Sequence, residues 1–288
     1  MAKKSLYARL KGALIKYLNT VYELLDLQRE LVTFLENESW AAAIQKPPYD
    51  DPRRLTRFGY KVFSQSDEDG IIAEIFRRIG NENRVFFEFG VGNGLANNTL
   101  NLLVGGWRGY WIDGSAEFVA KINHSLREYI QRGQLQVLHD FITQDSINRQ
   151  IRQLGMPPMI DLVSIDIDGN DYWMWQAMEG VSARVVVIEY NATLRPTHSV
   201  VMRYNDSNEW DRTNYFGASL SALEKLGRQK GYSLVGCNYT GVNAFFVRDD
   251  LVGDHFLAPF TAATHYEPAR YLTLRAGHPS GMGPYVDV

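Results

Sequence analysis

Cysteine is almost missing from this 288-residue sequence: Cys237 stands alone, so no internal disulfide can form, which fits a reducing compartment. No apolar run reaches the ~18 residues that a membrane-spanning helix needs. Positive charge is not in excess, with 30 Lys and Arg against 33 Asp and Glu and a formal net charge of −3. That balance gives no global electrostatic reason to expect a nucleic-acid partner. A secretory signal is lacking too. Lys11 and Lys16 interrupt the apolar stretch near the amino terminus, and no small-residue cleavage site follows it. The expectation is a cytoplasmic chain. There is no internal repeat and no low-complexity tract. What is present, 45% hydrophobic and 22% charged residues, suits an ordinary globular core.

Glycine and proline are also missing between Gly12 and Pro47, where leucines recur at spacings of three and four. The spacing predicts a helix over 5–45, an extension spanning 1–48 ahead of a domain over 49–288. Such a helix packs on its own domain or forms a seam between copies in a homo-oligomer. Its basic first turns, with Lys3, Lys4, Arg9, Lys11 and Lys16, also suit peripheral contact at the inner membrane face. From Asp67 the pattern alternates. Apolar β-prone runs at Arg84–Phe89, Gly109–Ile112, Gln134–Phe141, Ile160–Ile167 and Arg184–Tyr190 are separated by helical stretches at 95–104, 116–131, 146–154 and 172–178. This predicts a parallel sheet covered on both faces. Two further runs, Tyr232–Cys237 and Asn243–Arg248, are close enough to form an antiparallel hairpin. The fold class expected is therefore α/β and Rossmann-like, with seven strands. The stretch from Asn191 to Phe216 is too long for a plain connection and reads as functional or as a lid. The proline-rich tail from Val252 is expected to wrap the surface or approach the site.

The strongest local signal is Val85-Phe-Phe-Glu-Phe-Gly-Val-Gly-Asn-Gly94, a strand that turns on glycines into a helix. Gly90, Gly92 and Gly94 allow positive φ and close approach of backbone to a ligand. A dinucleotide loop needs a small residue where Leu95 stands. Glu88, two residues before the first glycine, suits a cation better than a pyrophosphate. S-adenosylmethionine carries an ammonium, a sulfonium and no phosphate. Asp113 at the end of the second strand is placed for ribose hydroxyls, and Asp140 at the end of the third for an adenine amino group.

With these motifs in hand, the sequence resembles class I S-adenosylmethionine-dependent methyltransferases, and within them the FkbM-type family. The matching residues are Phe63-Ser-Gln65 with Asp67–Gly70, Glu88–Gly94, Trp111-Ile-Asp113, Ser164-Ile-Asp-Ile-Asp-Gly169 and Glu189, over about residues 60–250. Asp168 stands where the family commonly has Glu. The resemblance implies the methyltransferase version of the Rossmann-like sheet and O-methylation of a saccharide or glycosylated metabolite. It also implies cofactor contacts from Ser64, Gln65, Glu88, Gly90, Gly92, Gly94, Asp113, Asp140 and Asp166.

The fourth and fifth strands end in Asp166, Asp168, Glu189 and Asn191, an oxygen-only set. If the fourth strand continues that far, alternation puts Asp166 and Asp168 on one side. Asp168, Glu189 and Asn191 are candidate ligands for Mg²⁺ or Mn²⁺, with Asp166 beside them. The alternative is that Asp166 meets the cofactor while Asp168 and Asp171 make turn bonds and hold no metal. Asp166, Asp168 and His198, the last as general base, are the catalytic candidates. Two other function classes remain open at this stage: an NAD(P)-dependent oxidoreductase, which Glu88 and Leu95 oppose, and a non-catalytic ligand-binding domain.

Overall fold

The computed structural model describes residues 2–270 and 278–288. The chain separates into two compact units, Met1–Asp50 and Asp51–Val288. The first unit is dominated by one helix, α1 (Ala2–Ala43), which meets no glycine or proline after Gly12.

The second unit is built on seven strands. These are β1 (Val85–Phe89), β2 (Arg108–Asp113), β3 (Leu135–His139), β4 (Met159–Ile165), β5 (Ser182–Glu189), β7 (Tyr232–Cys237) and β8 (Asn243–Arg248). Their order across the sheet is β3-β2-β1-β4-β5-β8-β7. The first five are parallel, and β8 runs antiparallel to both β5 and β7. The fold is therefore the mostly parallel, Rossmann-like sheet with a closing antiparallel hairpin that the pattern of runs predicts. The chain moves outward from β1 to β3, then returns to lay β4 beside β1. That reversal opens a crevice at the carboxyl ends of β1 and β4, where open α/β sheets bind ligands.

Alternate strand residues face opposite layers. Phe87, Phe89, Val163, Ile165, Val186 and Ile188 pack in one core cluster, whereas Phe86, Leu162, Val185 and Val187 pack in the other. The second layer includes α2 (Glu68–Ile79), α3 (Leu100–Val104) and α4 (Ala116–Ser125). The first includes α6 (Ile147–Leu154), α7 (Asp171–Ala177) and α8 (Leu220–Gln229). A short α5 (Arg127–Gln131) follows α4, because Leu126 leaves helical geometry and splits the helix expected over 116–131.

Two elements depart further from expectation. The helix expected from Leu95 begins only at Leu100. Side chains take the backbone donors that an early helix would use: Leu95 N–H donates to Asn93 Oδ1, Asn98 N–H to Glu88 Oε1, and Leu100 N–H to Asn97 Oδ1. The tail also forms structure. Strand β9 (Tyr285–Asp287) pairs antiparallel with β6 (Val200–Met202), which lies in the long segment after β5.

Candidate active site

The glycine loop leaves β1 at the crevice. Gly90 has φ +79°, and a Cβ on it would lie 1.6 Å from the Asp166 carbonyl oxygen. The loops after β1 and β4 thus touch, and only glycine fits at that contact. Gly92 is different: φ is +56°, but nothing lies within 4 Å of its Cβ position. Its N–H donates to Asp113 Oδ2 at 2.8 Å. Gly94 is a packing glycine, since a Cβ there would meet Ile122 and Trp111 at 2.9 Å.

Glu88 is 1% exposed, and its carboxylate is engaged inside the protein rather than turned to a ligand. It accepts from Asn98 N–H (3.0 Å), Ser164 Oγ (3.0 Å) and Thr99 Oγ1 (2.5 Å). Burial pushes its pKa up to about 7. The expectation of direct contact with a cofactor cation is corrected here: the Glu88 carboxyl is taken up by Asn98, Thr99 and Ser164 and holds the loop over 97–99. Asp113 is buried, accepts from the N–H groups of Gly92 and Ser115, and is raised by desolvation. Each of its oxygens keeps a lone pair for a hydroxyl. Asp140 sits at the end of β3 with its carboxylate on Phe141 N–H and on Arg149, 3.2 Å away.

Ser64 is fully buried. Its hydroxyl accepts from Asp69 N–H, and its own N–H joins those of Val62 and Phe63 on Asp69 Oδ2. That overturns a direct cofactor contact from the Ser64 side chain; the residue shapes the entry to α2. Gln65 is exposed beside it, its carbonyl accepting from Lys61.

Strand β4 stops at Ile165, so strand alternation does not align Asp166 with Asp168. A turn does so instead. Asp168 takes φ +56°, and Asp171 accepts from the N–H groups of Ile167 and Gly169 to hold the turn closed. The outcome is a cluster in which oxygens of Asp166, Asp168 and Glu189 all lie within 4.8 Å of one another. Glu189 Oε2 is buried without a hydrogen-bond partner. Burial raises the pKa of Asp166 and Glu189 well above the carboxylate range, and the neighbouring carboxylates add to the rise. Asn191 does not join them. Its Nδ2 donates to the carbonyls of Asn214 and Phe216, and its Oδ1 accepts from the Thr193 N–H and hydroxyl. All of its side chain's hydrogen-bonding capacity supports the following loop, so Asn191 leaves the candidate ligands, and the group that could hold an ion is Asp166, Asp168 and Glu189.

His198 is exposed, with Thr197 Oγ1 beside its ring at 3.3 Å. A second histidine, His278, which sequence reasoning missed, feels the charge of Asp168 from the tail. It packs edge-on to Trp210 with ring centroids 4.5 Å apart. Burial lowers its pKa, and the Asp168 carboxylate opposes that fall. A tail histidine some 110 residues from Asp168 carries no local motif. Beside the turn, Asn208 Nδ2 donates to the Asp168 carbonyl at 3.2 Å. Asn208 also lines a groove of about 560 Å³ together with Arg203, Tyr204, Asn205, Tyr215 and Pro284. Tail and loop close on each other there: Arg203 N–H and Tyr215 Oη both donate to the Pro284 carbonyl.

No family model and no curated protein sequence matches the chain. Among solved structures it is similar to the methyltransferase domain of a bacterial Hen1 protein, at 13% identity and TM-score 0.41 over 62% of this chain and 94% of that one. It is similar also to a putative RNA methyltransferase from Pyrococcus horikoshii, at 11% identity and TM-score 0.38 over 66% and 89%. A third similarity is to the [4+2]-cyclase SpnF, at 14% identity and TM-score 0.38 over 62% and 64%. At these identities and TM-scores the likenesses assign no reaction to this chain.

Proposed function

We propose that this chain is an S-adenosylmethionine-dependent O-methyltransferase of the FkbM type, acting on a hydroxyl of a saccharide or glycosylated metabolite. One observation carries the reading. Glu88, Asp113, Asp166, Asp168, Asp171 and Glu189 gather at the carboxyl ends of β1, β2, β4 and β5, and among the described residues none is ion-paired to a lysine or arginine. A cationic ligand would relieve the crowding of these carboxyl groups, whereas a pyrophosphate would meet no lysine or arginine paired among them, which opposes the NAD(P) alternative. The open space at Gly92 leaves room for a ligand against the backbone, and Asp113 is free to accept from ribose hydroxyls.

S-adenosylmethionine, when bound, supplies a methyl group on a sulfonium. The chain's part is to hold the acceptor oxygen in line with it and remove the proton. Asp166, Asp168 and Glu189 would hold a divalent cation, and the unpartnered Glu189 Oε2 fits that role. A cation held there lowers the pKa of a coordinated hydroxyl. The groove beside Asn208 supports a polyhydroxylated acceptor, since its lining mixes Tyr204 and Tyr215 with the polar Asn205, Asn208 and Arg203. The test is transfer of labelled methyl from S-adenosylmethionine to a panel of saccharides, with and without chelator. Label appearing only on protein or nucleic acid contradicts the acceptor assignment.

A further inference from the structure

Among the described residues of the first unit nothing covers nine apolar side chains of α1 that are each more than half exposed, and six of them, Leu10, Leu14, Tyr17, Leu24, Leu31 and Leu35, fall in one series. They recur at alternating spacings of four and three, with Val21 and Gln28 completing the series. That is the heptad period of a helix that supercoils with a partner, not the drifting period of a helix lying on a flat surface. So long an apolar stripe needs a cover.

We propose that α1 pairs antiparallel with α1 of a second copy of this chain. Two features of the sequence select that occupant and that direction. The first is register. Reversing the helix against itself sets Leu10 opposite Leu35, Leu14 opposite Leu31, Tyr17 opposite Gln28 and Val21 opposite Leu24. Every layer then matches, and the one polar position meets a tyrosine hydroxyl rather than a leucine. The layers span about 37 Å at 1.5 Å per residue. A two-fold axis passes between Val21 and Leu24, as a closed symmetric dimer requires.

The second feature is charge. Residues 1–19 carry Lys3, Lys4, Arg9, Lys11 and Lys16 and no acidic residue. Residues 20–45 carry Glu23, Asp26, Glu30, Glu36 and Glu38 against a single Arg29. A parallel pair would stack like charge on like charge, whereas the antiparallel pair sets the basic half beside the acidic half. The acidic half also opposes an anionic bilayer, which attracts helices basic along their length.

Sedimentation equilibrium of the full chain is expected to give twice the 32.9 kDa chain mass. Under oxidising conditions, mixed Leu10→Cys and Leu35→Cys chains are expected to cross-link to each other, while neither variant alone does so. Wild type, whose Cys237 is buried, serves as the control. Leu24→Glu is expected to halve the mass and leave the binding heat of S-adenosylhomocysteine unchanged. A monomeric wild type, same-site cross-links, or a Leu24→Glu chain that stays dimeric would each overturn the proposal. So would a monomer that co-floats with phosphatidylcholine–phosphatidylglycerol vesicles.

Discussion

Gly90 and Asp166 are in backbone contact, close enough that a Cβ at position 90 would lie 1.6 Å from the Asp166 carbonyl oxygen. The glycine loop and the acidic turn are therefore one structure, and a change in either displaces both. Gly90→Ala is expected to destabilise the chain by at least the ~1–2 kcal/mol of a left-handed alanine, with the clash adding to it. Gly92→Val differs, because open space surrounds that Cβ position, although φ +56° adds some backbone strain. It should stay folded by circular dichroism and lose cofactor binding.

Exchanging one residue for its neighbour in role separates the ligand set from the scaffold. Asp168→Asn and Glu189→Gln should abolish a chelator-sensitive activity while thermal unfolding changes little. Asn191→Ala should do the reverse in stability. It leaves the buried Phe216 carbonyl without this donor, at about 1–3 kcal/mol by the usual cost of an orphaned group, and the part-buried Asn214 carbonyl at less, and lowers the melting temperature. Metal-dependent activity retained in Asp168→Asn and Glu189→Gln would contradict the cluster.

For proton removal, His278 and not His198 is the histidine to test. His278→Gln should lower the turnover rate by at least about a hundredfold if it serves as general base. His198→Ala, at an exposed position, should leave turnover unchanged. Equal loss in both variants would return the role to the exposed loop.

Stability should also report the buried carboxylates. Burial raises both Glu88 and Glu68 to about 7, with Asp67 adding to the rise at Glu68. In the folded chain these groups hold protons that the unfolded chain, with an ordinary value of 4.5, has released. Stability is therefore full below about pH 4.5 as far as these groups go, and falls as pH rises toward about 7. Urea denaturation across that window should reveal the decline, and Glu88→Gln should flatten it. A slope of opposite sign would contradict the burial argument.

Much of this was legible in the sequence because it rests on local periodicity. The strands, the closing hairpin at Tyr232–Cys237 and Asn243–Arg248, and the glycine turn all follow from short-range pattern. What stayed hidden depends on partners distant in the chain. Glu88 reads from its loop as a partner for a cation, but Ser164, 76 residues away, donates to its carboxyl. Asn191 reads as a ligand at a strand end, but its amide is committed to the carbonyls of Asn214 and Phe216. The helix expected from Leu95 was displaced by asparagine side chains competing for its donors, a contest that propensity alone does not resolve. His278, whose charge is felt at Asp168, sits against Trp210 on a tail with no motif of its own.

The central claim is that the acidic crevice beside Gly92 and Asp113 takes the cationic cofactor, and isothermal titration calorimetry tests it most directly. Wild type should bind S-adenosylmethionine and S-adenosylhomocysteine and give no heat with NAD or NADP. Asp113→Ala, which removes the acceptor for both Gly92 and the ribose, and Gly92→Val should lose that heat while remaining folded. Heat with NAD and none with S-adenosylhomocysteine, or both variants binding like wild type, would contradict the account.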